Sequence, residues 1–233
     1  MPSFDAGAPV WSRLLKGEGD APTPAQRPGW TLPPGVQPLP PPEDSLPGCP
    51  LPYDWDRRRY CAFDVETTGL DARQDRIVEI GLMPFHFDQE GALVLEEGWA
   101  SLVNPGMPIP ASSSAIHGIY DLEVSGAPPF SAIGEKIKAF LGSRVMVAHN
   151  AMFDMGFLRE ELARLGSAAW DGEIVDTLAL ARLSYPSQVS HALGRLAFAL
   201  GIETGNSHRA LDDAKTCMRV FALCARRLAG ACP

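Results

Sequence analysis

The sequence has 233 residues and a hydrophobic fraction of 45%, which suits one globular domain with an additional tail. Its formal net charge of −8 argues against a protein that coats nucleic acid through a broad basic face, but not against an enzyme that holds phosphates through divalent cations. There is no apolar run of roughly 20 residues and no signal-peptide layout, so we expect a cytoplasmic protein without membrane contact. The five cysteines form no C-x-x-C pair, which argues against a zinc site.

The first 52 residues differ in composition from the rest of the chain. They contain 14 of the 22 prolines, so residues 1–52 are predicted to be a disordered or polyproline-II extension. Within this extension, Trp11, Leu14 and Leu15 follow the i, i+3, i+4 spacing of a short amphipathic helix. We interpret them either as one or two turns that dock on a partner or on the body of the protein, or as an isolated apolar cluster in a tail.

A globular domain is predicted over residues 53–233. Apolar stretches and turn residues predict strands at 60–66, 76–87, 93–103, 144–148 and 173–176, with a hairpin turn at 88–91 and a loop at 104–110. Helices are predicted at 112–119 (with serine caps), 130–141, 152–165, 177–185, 191–200 and 211–228. This order predicts an α/β fold with a mixed central sheet flanked by helices. The predicted core residues are Ile77, Ile80, Leu82, Val145, Val147, Leu158, Leu162, Leu196, Phe198 and Leu200.

Two acidic residues interrupt the first predicted strand. Asp64 and Glu66 are two positions apart, and the alternation of a strand places both side chains on the same side of the sheet. Carboxylates inside an apolar strand repel each other and lose hydration, and a hard cation between them offsets both costs. The alternative is an exposed polar strand face without a ligand, which Phe63 and Val65 on the opposite side also fit.

Two further segments place acids at the edges of predicted elements. Asp154 lies near the start of a helix, where an aspartate alone more often serves as a cap or a dipole partner. Asp213 lies in an early turn of the final helix, and His208 precedes it on a loop; alone, this pair is typical of a surface. Together with the acids of the first strand, these residues form a constellation of four acids and one histidine.

The segments FDVETTGL, HNAMFDMGFL and HRALDDA resemble, in this order, the three motifs of the DEDD exonuclease superfamily in its histidine subtype, also called DnaQ-like. IHGI, followed by PPF, is similar to the segment between the first two motifs. The resemblance covers residues 59–228, and its nearest likeness is to the proofreading epsilon subunits of bacterial replicative polymerases. It implies a ribonuclease-H-like fold and a 3′–5′ exonuclease that releases nucleoside 5′-monophosphates from single-stranded or frayed DNA.

The resemblance also implies roles for the motif residues. It implies that His208 acts as general base toward the attacking water, a role suited to a side chain that exchanges protons near neutral pH. Two divalent cations, Mg²⁺ or Mn²⁺, would clamp the attacking and leaving oxygens of the phosphodiester. Asp213 is preferred to Asp212 as a ligand because the family's acid lies five residues after the histidine. The implied ligands are Asp64, Glu66, Asp154 and Asp213.

Neighbouring residues are predicted to bind the 3′ end of the nucleic acid. The backbone around Gly69 is expected to approach the terminal 3′-hydroxyl, and Leu70 to wedge against the last base. Phe153 and His117 are expected to stack on bases, and Asn150 to contact a phosphate. Core packing is an equal alternative for Leu70 and Phe153, as is a helix-capping role for His117. The full predicted set is Thr67, Thr68, Gly69, Leu70, His117, Asn150 and Phe153.

Two other functions are compatible with parts of this pattern. An RNA 3′ exonuclease of the tRNA-trimming or oligoribonuclease kind shares the motifs, because the choice of polymer depends on contacts to the 2′-hydroxyl. A catalytically idle docking module is disfavoured, since all five catalytic positions are filled. The family's proofreading subunits usually carry a C-terminal tail that binds the polymerase, whereas the additional sequence here is N-terminal. Proofreading in a replicase and an independent role in repair or nucleic-acid turnover are therefore alternative predictions.

Overall fold

The structure, a computed structural model, describes residues 51, 54–168 and 170–230. Trp11, Leu14 and Leu15 of the proline-rich extension lie outside these residues. The strands are β1 (Arg59–Thr67), β2 (Ile77–Phe87), β3 (Leu93–Leu95), β4 (Trp99–Leu102), β5 (Val145–Ala148) and β6 (Ile174–Asp176). The helices are α1 (Ala111–His117), α2 (Asp121–Val124), α3 (Phe130–Leu141), α4 (Ala151–Arg164), α5 (Thr177–Ser184), α6 (Leu193–Ala199) and α7 (Ala210–Ala229). None of the described helices is both long and apolar enough to cross a membrane.

The strands form one mixed sheet in the order β3-β2-β1-β5-β6, with β4 also paired to β2. β1 pairs with β2 antiparallel and with β5 parallel, and β5 pairs with β6 parallel. This arrangement confirms the predicted α/β class, with antiparallel strands first and parallel strands after them. β1 takes the central position because its residues are apolar on both faces, and Cys61, Ala62 and Phe63 are fully buried.

The prediction of a single strand at 93–103 is wrong, because two short strands, β3 and β4, replace it. The break between them lies opposite Met83 and Pro84 of β2. Pro84 has no N–H, and its carbonyl faces the break, where it accepts a hydrogen bond from the Glu96 amide (3.0 Å). The ladder therefore lacks a donor at this point, and the outer strand accommodates an extra residue as a bulge.

The helix predicted at 112–119 is present as α1, but the prediction of serine caps is wrong. Pro110 occupies the N-cap position, and no side chain accepts a capping hydrogen bond there. Ser113 instead donates a hydrogen bond to the carbonyl of Thr68 (2.7 Å). α1 is thereby tied to the loop that follows β1, and Gly118 ends the helix with a left-handed backbone (φ 71°).

Helices cover both faces of the sheet, and the alternation of β1 assigns each face its own core. Tyr60 and Ala62 pack with residues of α5, α6 and α7, whereas Phe63 packs with residues of α3 and α4. Asp64 and Glu66 continue the series of Tyr60 and Ala62. The two acids therefore lie on the side of the sheet that α7 covers.

Aromatic packing anchors α7 on the sheet. The ring centroid of Phe221 lies 4.8 Å from that of Tyr60 and 5.8 Å from that of Phe85. Such pairs contribute about 0.5–1.5 kcal/mol beyond the burial of their surface. Asp213 lies about two turns earlier on the same helix. The packing of Phe221 therefore sets the position and rotation of the helix that carries this acid.

The prediction of Phe198 as a core residue is wrong, because its side chain is 88% exposed. α6 is a short helix that packs on α7 and buries Leu196 and Ala197 in the shared core. Phe198 follows these residues around the helix and faces solvent. All other predicted core residues are buried.

We expect Gly81→Ala to destabilise the protein, because a Cβ at this position of β2 would lie 2.3–2.4 Å from backbone atoms of Ala210 and Leu211. Backbone atoms at the start of α7 cannot move aside as a flexible side chain does. The expected loss is about 1–3 kcal/mol, or roughly 2–4 °C in Tm for each kcal/mol, measured by thermal unfolding. Gly126→Ala is the matched control, since a Cβ there meets no atom within 4 Å. Equal Tm values for the two variants would contradict the close approach of α7 to β2.

Candidate active site

Four carboxylates converge where β1 ends and where α4 and α7 begin. Asp64 and Glu66 lie in the second half of β1, Asp154 in the first turn of α4, and Asp213 in the first turn of α7. The amide of Val65 donates a hydrogen bond to Asp154 Oδ1 (3.1 Å), which connects α4 to β1 between the two strand acids. The fold thus brings three segments that are remote in sequence to one end of the sheet.

Glu66, His208 and Asp213 form a compact cluster in which each offers one ligand atom within 4.8 Å of the others. Asp64 and Asp154 lie within electrostatic range of this cluster, since the charges of Asp154 and Glu66 both act on Asp64. Carboxylate oxygens are the ligands that Mg²⁺ and Mn²⁺ prefer. The residues present therefore fit a divalent-cation site.

The carboxyl groups of this site resist ionisation when no cation is bound. Burial raises the pKa of Asp64, and the charges of Asp154 and Glu66 raise it further. Burial and the charge of Asp213 raise the pKa of Glu66 to about 8. Burial also raises the pKa values of Asp154 and Asp213, although backbone amide donors oppose this shift. Divalent cations would favour the ionised forms, because their charge offsets both the desolvation and the repulsion.

The backbone of His208 holds this residue beside the carboxylates. Its φ is 61°, in the left-handed region, which costs a residue other than glycine about 1–3 kcal/mol. The His208 amide donates a hydrogen bond to Asp213 Oδ2 (2.9 Å), which stabilises this conformation. His208 is exposed, so its ring meets both the cluster and solvent.

Asp212, the acid next to Asp213, has different partners. Its Oδ2 accepts a hydrogen bond from the Asn206 amide (2.9 Å), and its Oδ1 accepts one from Lys215 Nζ (3.2 Å). Partial burial acts to raise the pKa of Asp212, but these hydrogen bonds keep it below its ordinary value. Asp212 therefore secures the loop before α7, a geometry that fits Asp213 as the cation ligand of the pair.

Glu79 on β2 lies outside the predicted site residues, yet it organises the site. Its buried side chain lies opposite Glu66 in the register of β1 and β2. It accepts hydrogen bonds from Nε and Nη2 of Arg209 (2.7–3.2 Å) and from the Ala210 amide (3.0 Å). These contacts fix the two residues that follow His208. A lone acid inside the apolar run RIVEIGLMPFHF is the signal for such a role, because a buried carboxylate needs a partner.

Two further unpredicted residues support the start of α4. Asp176 Oδ1 accepts a hydrogen bond from the Asn150 amide (2.9 Å), which holds Asn150 in its left-handed conformation (φ 66°) at the N-cap. His149 contacts Thr177 Oγ1 through Nδ1 (3.0 Å) and the His191 carbonyl through Nε2 (2.8 Å). The segment that presents Asp154 is therefore tied to β6 and to the loop before α6.

The predicted substrate-binding residues after β1 form a fixed loop with one exposed side chain. The buried Thr67 and Thr68 donate hydrogen bonds to the Gly69 carbonyl (2.6 Å) and to Asp75 Oδ1 (3.1 Å), respectively. Gly69 has no room for a Cβ, because the Asp75 carboxylate lies 2.4 Å from where it would be. Leu70 is 86% exposed, so the alternative of core packing does not apply to it.

Phe153 and His117 are more enclosed than Leu70. Phe153 is partly buried, with its ring centroid 5.0 Å from that of Phe157. His117 is buried, and its Nδ1 accepts a hydrogen bond from the Ile119 amide (3.0 Å), which fits the capping alternative. Burial lowers the pKa of His117 and favours a neutral ring.

Comparison with known proteins identifies relatives of this chain. Residues 61–221 match the exonuclease family RNase_T. The DNA polymerase III subunit epsilon of Treponema pallidum is 37% identical over 176 residues, covering 72% of this chain and 80% of the relative. A PolC-type DNA polymerase III of Listeria welshimeri is 36% identical over 156 residues, covering 67% of this chain but 10% of the relative.

Solved structures show the same fold. Exonuclease I of E. coli in complex with a dA16 oligonucleotide superposes with a TM-score of 0.61 at 19% identity, covering 71% of this chain and 40% of that one. Exonuclease X in complex with 5′ overhanging duplex DNA superposes with a TM-score of 0.54 at 26% identity, covering 73% of this chain and 91% of that one. The ribonuclease-H-like fold that the sequence predicts is thereby confirmed.

We expect Asp64→Asn to raise the Tm of the metal-free protein and to reduce the stabilisation that Mg²⁺ or Mn²⁺ provides. The substitution removes one of the repelling charges and breaks no hydrogen bond to a described residue, while it deletes a predicted cation ligand. Thermal unfolding in EDTA and in increasing Mn²⁺ measures both effects. Asp212→Asn is the matched control. It is expected to lower the Tm in EDTA, because both carboxylate oxygens of Asp212 accept hydrogen bonds. A lower Tm for Asp64→Asn in EDTA would contradict the repulsion at this site.

Proposed function

The chain belongs to the exonuclease family, and from this membership we propose that it removes nucleotides one at a time from the 3′ end of DNA, releasing nucleoside 5′-monophosphates. The observation that carries the proposal is the convergence of four carboxylates and one histidine at the end of β1: Asp64, Glu66, Asp154, Asp213 and His208. Single-stranded or frayed DNA is the expected substrate, because the relatives include DNA polymerase III proteins and exonuclease X is seen with overhanging DNA.

Two divalent cations, Mg²⁺ or Mn²⁺, belong to the proposed site, and the four carboxylates would hold them. When bound, they supply positive charge beside the scissile phosphate and the departing 3′ oxygen. The carboxylates themselves keep this charge in place, since Asp154 is fixed to β1 through the Val65 amide and Asp213 to the His208 amide. The site is therefore organised for cations before substrate arrives.

His208 is proposed to take a proton from the attacking water. Its ring nitrogen lies within 4.8 Å of carboxylate oxygens of Glu66 and Asp213, and its exposure allows the proton to pass on to solvent. Glu79 acts on this step at a distance. By fixing Arg209 it sets the direction in which the chain presents His208.

The 3′-terminal nucleotide is proposed to lie against the loop that follows β1. Arg164 donates hydrogen bonds to the carbonyls of Ala72 and Arg73 (2.7 and 3.0 Å), so the loop is held against α4. On this fixed loop the exposed Leu70 is placed to wedge against the last base. The backbone at Gly69 is placed to approach the terminal 3′-hydroxyl.

Proofreading or repair of DNA is the proposed role. The 37% identity to an epsilon subunit supports an association with a polymerase, with the N-terminal extension as the proposed docking segment. An RNA 3′ exonuclease is the alternative, and comparison of the two polymers in one assay decides between them.

The first test is a time course on 5′-labelled single-stranded DNA and a matched RNA with Mg²⁺ or Mn²⁺. We expect a ladder that shortens from the 3′ end, is abolished by EDTA and runs faster on DNA. His208→Ala is expected to slow it about 10²–10⁴-fold, the usual contribution of a general base. His86→Ala is the matched control, because His86 lies on β2 opposite Arg59, at the end of the sheet away from the site. An equal rate for His208→Ala and the unaltered protein would overturn the role of His208, and faster hydrolysis of RNA would favour the alternative substrate.

A second test addresses Glu79 as a positioning residue. Glu79→Gln keeps the size of the side chain but removes the charge that binds Arg209, so His208 loses its fixed direction. We expect kcat to fall about 10–100-fold, because small displacements of catalytic groups have effects of this size, while KM changes little. Steady-state kinetics separates the two constants. A raised KM with unchanged kcat would show that Glu79 serves substrate binding instead.

A further inference from the structure

Two shallow pockets lie side by side along the loop before α6, and the first of them reaches the start of α4. The first, of about 480 Å³, is lined in part by His149 and Asn150, the residues directly before α4. The second, of about 370 Å³, shares Val189 and Ser190 with the first and continues along α6. We name the combined surface the arginine groove and define it by Asn150, Arg182, Val189, Ser190, Arg195 and Phe198.

The arginine groove is cationic in a protein of net charge −8. Neither pocket is lined by an aspartate or a glutamate, and each contains one exposed arginine, Arg182 or Arg195. Neither arginine forms an ion pair with a described carboxylate. Two guanidinium groups therefore have no counter-charge among the described residues, and such groups pair well with phosphate oxygens.

The groove also presents apolar side chains to solvent. Phe198 is 88% exposed, and Val189 is fully exposed. Arg195 and Phe198 lie on the same face of α6, since both line the second pocket. An exposed aromatic ring next to a free arginine is the combination that binds single-stranded nucleic acid, with bases on the ring and phosphates on the cation.

Hydrogen bonds connect the loop that forms the groove to the segment directly before α4. His191 accepts a hydrogen bond at its carbonyl from His149 Nε2 (2.8 Å), and its own Nε2 contacts the Tyr185 carbonyl (3.0 Å). His149 directly precedes Asn150, the N-cap of the helix that carries Asp154. The loop that forms the groove is therefore held at a fixed position relative to the carboxylates.

We propose that the arginine groove binds the nucleotides immediately 5′ of the terminal one in single-stranded DNA, with Arg182 and Arg195 contacting phosphates and Phe198 stacking on a base. This inference rests on the proposed function. The exposed side chain of Phe198 thereby has a role, which is to hold the DNA strand next to the active site. A substrate without such nucleotides does not reach the groove.

The test compares two substrates of different length. One is a 12-nucleotide oligodeoxythymidylate, and the other is thymidine 5′-(p-nitrophenyl phosphate), which carries a single nucleotide. For Phe198→Ala we expect kcat/KM on the oligonucleotide to fall about 5–150-fold, the range for loss of one stacked base. For the double variant Arg182→Ala with Arg195→Ala we also expect kcat/KM on the oligonucleotide to fall. The slope of log(kcat/KM) against log[salt] is expected to become shallower by about 0.7 for each phosphate contact that is lost. Neither variant is expected to change kcat/KM on the single-nucleotide substrate.

Arg57→Ala is the matched control, because Arg57 is an exposed arginine in the turn before β1, at the opposite end of that strand from the site. It is expected to leave kcat/KM on both substrates unchanged. Groove variants that degrade the oligonucleotide at the normal rate would overturn the inference and point to a protein as the occupant. Equal losses on both substrates would also overturn it. If the unaltered protein hydrolyses neither substrate, the proposed function itself fails, which is a distinguishable result.

Discussion

Four desolvated carboxylates lie together at one end of β1, and their repulsion is the main cost that the candidate site imposes on the fold. Burial raises the pKa values of Asp64 and Glu66, and the charges of Asp154, Glu66 and Asp213 raise the pKa of Asp64 further. The fold meets this cost partly with amide donors directed at Asp154 and Asp213, and leaves the remainder to bound cations. Stability is thus lower at the place where cation affinity is needed, a common relation between function and stability.

The core of the protein determines the geometry of this site. α7 is positioned by the ring of Phe221 against the sheet and by the missing side chain of Gly81, which lets its first residues approach β2. Glu79, two residues before Gly81, binds Arg209 and so directs the loop that presents His208. Sheet, helix and catalytic loop are therefore coupled through one short stretch of β2, and a change there acts on packing and on chemistry together.

The sequence was informative wherever the determining physics is local. The two-residue period of a strand suffices to place Asp64 and Glu66 on one side, and the amphipathic pattern of α3 gives its bounds of 130–141. Contacts between distant segments were not predictable in this way. The pairing of Glu79 with Arg209 joins residues that lie far apart in the sequence. The break opposite Pro84 depends on strand register, and the exposure of Phe198 depends on the rotation of a short helix about its axis.

The most direct test of the proposed two-cation site is a crystal structure of the protein with Mn²⁺ and a nucleoside 5′-monophosphate, in which anomalous scattering locates the metal. We predict two Mn²⁺ peaks about 4 Å apart, coordinated by oxygens of Asp64, Glu66, Asp154 and Asp213, with the ring of His208 beside the phosphate. The proposed two-cation site would be contradicted if the anomalous peaks were held by other residues. It would also be contradicted if the phosphate bound away from this cluster and the four carboxylates held no metal.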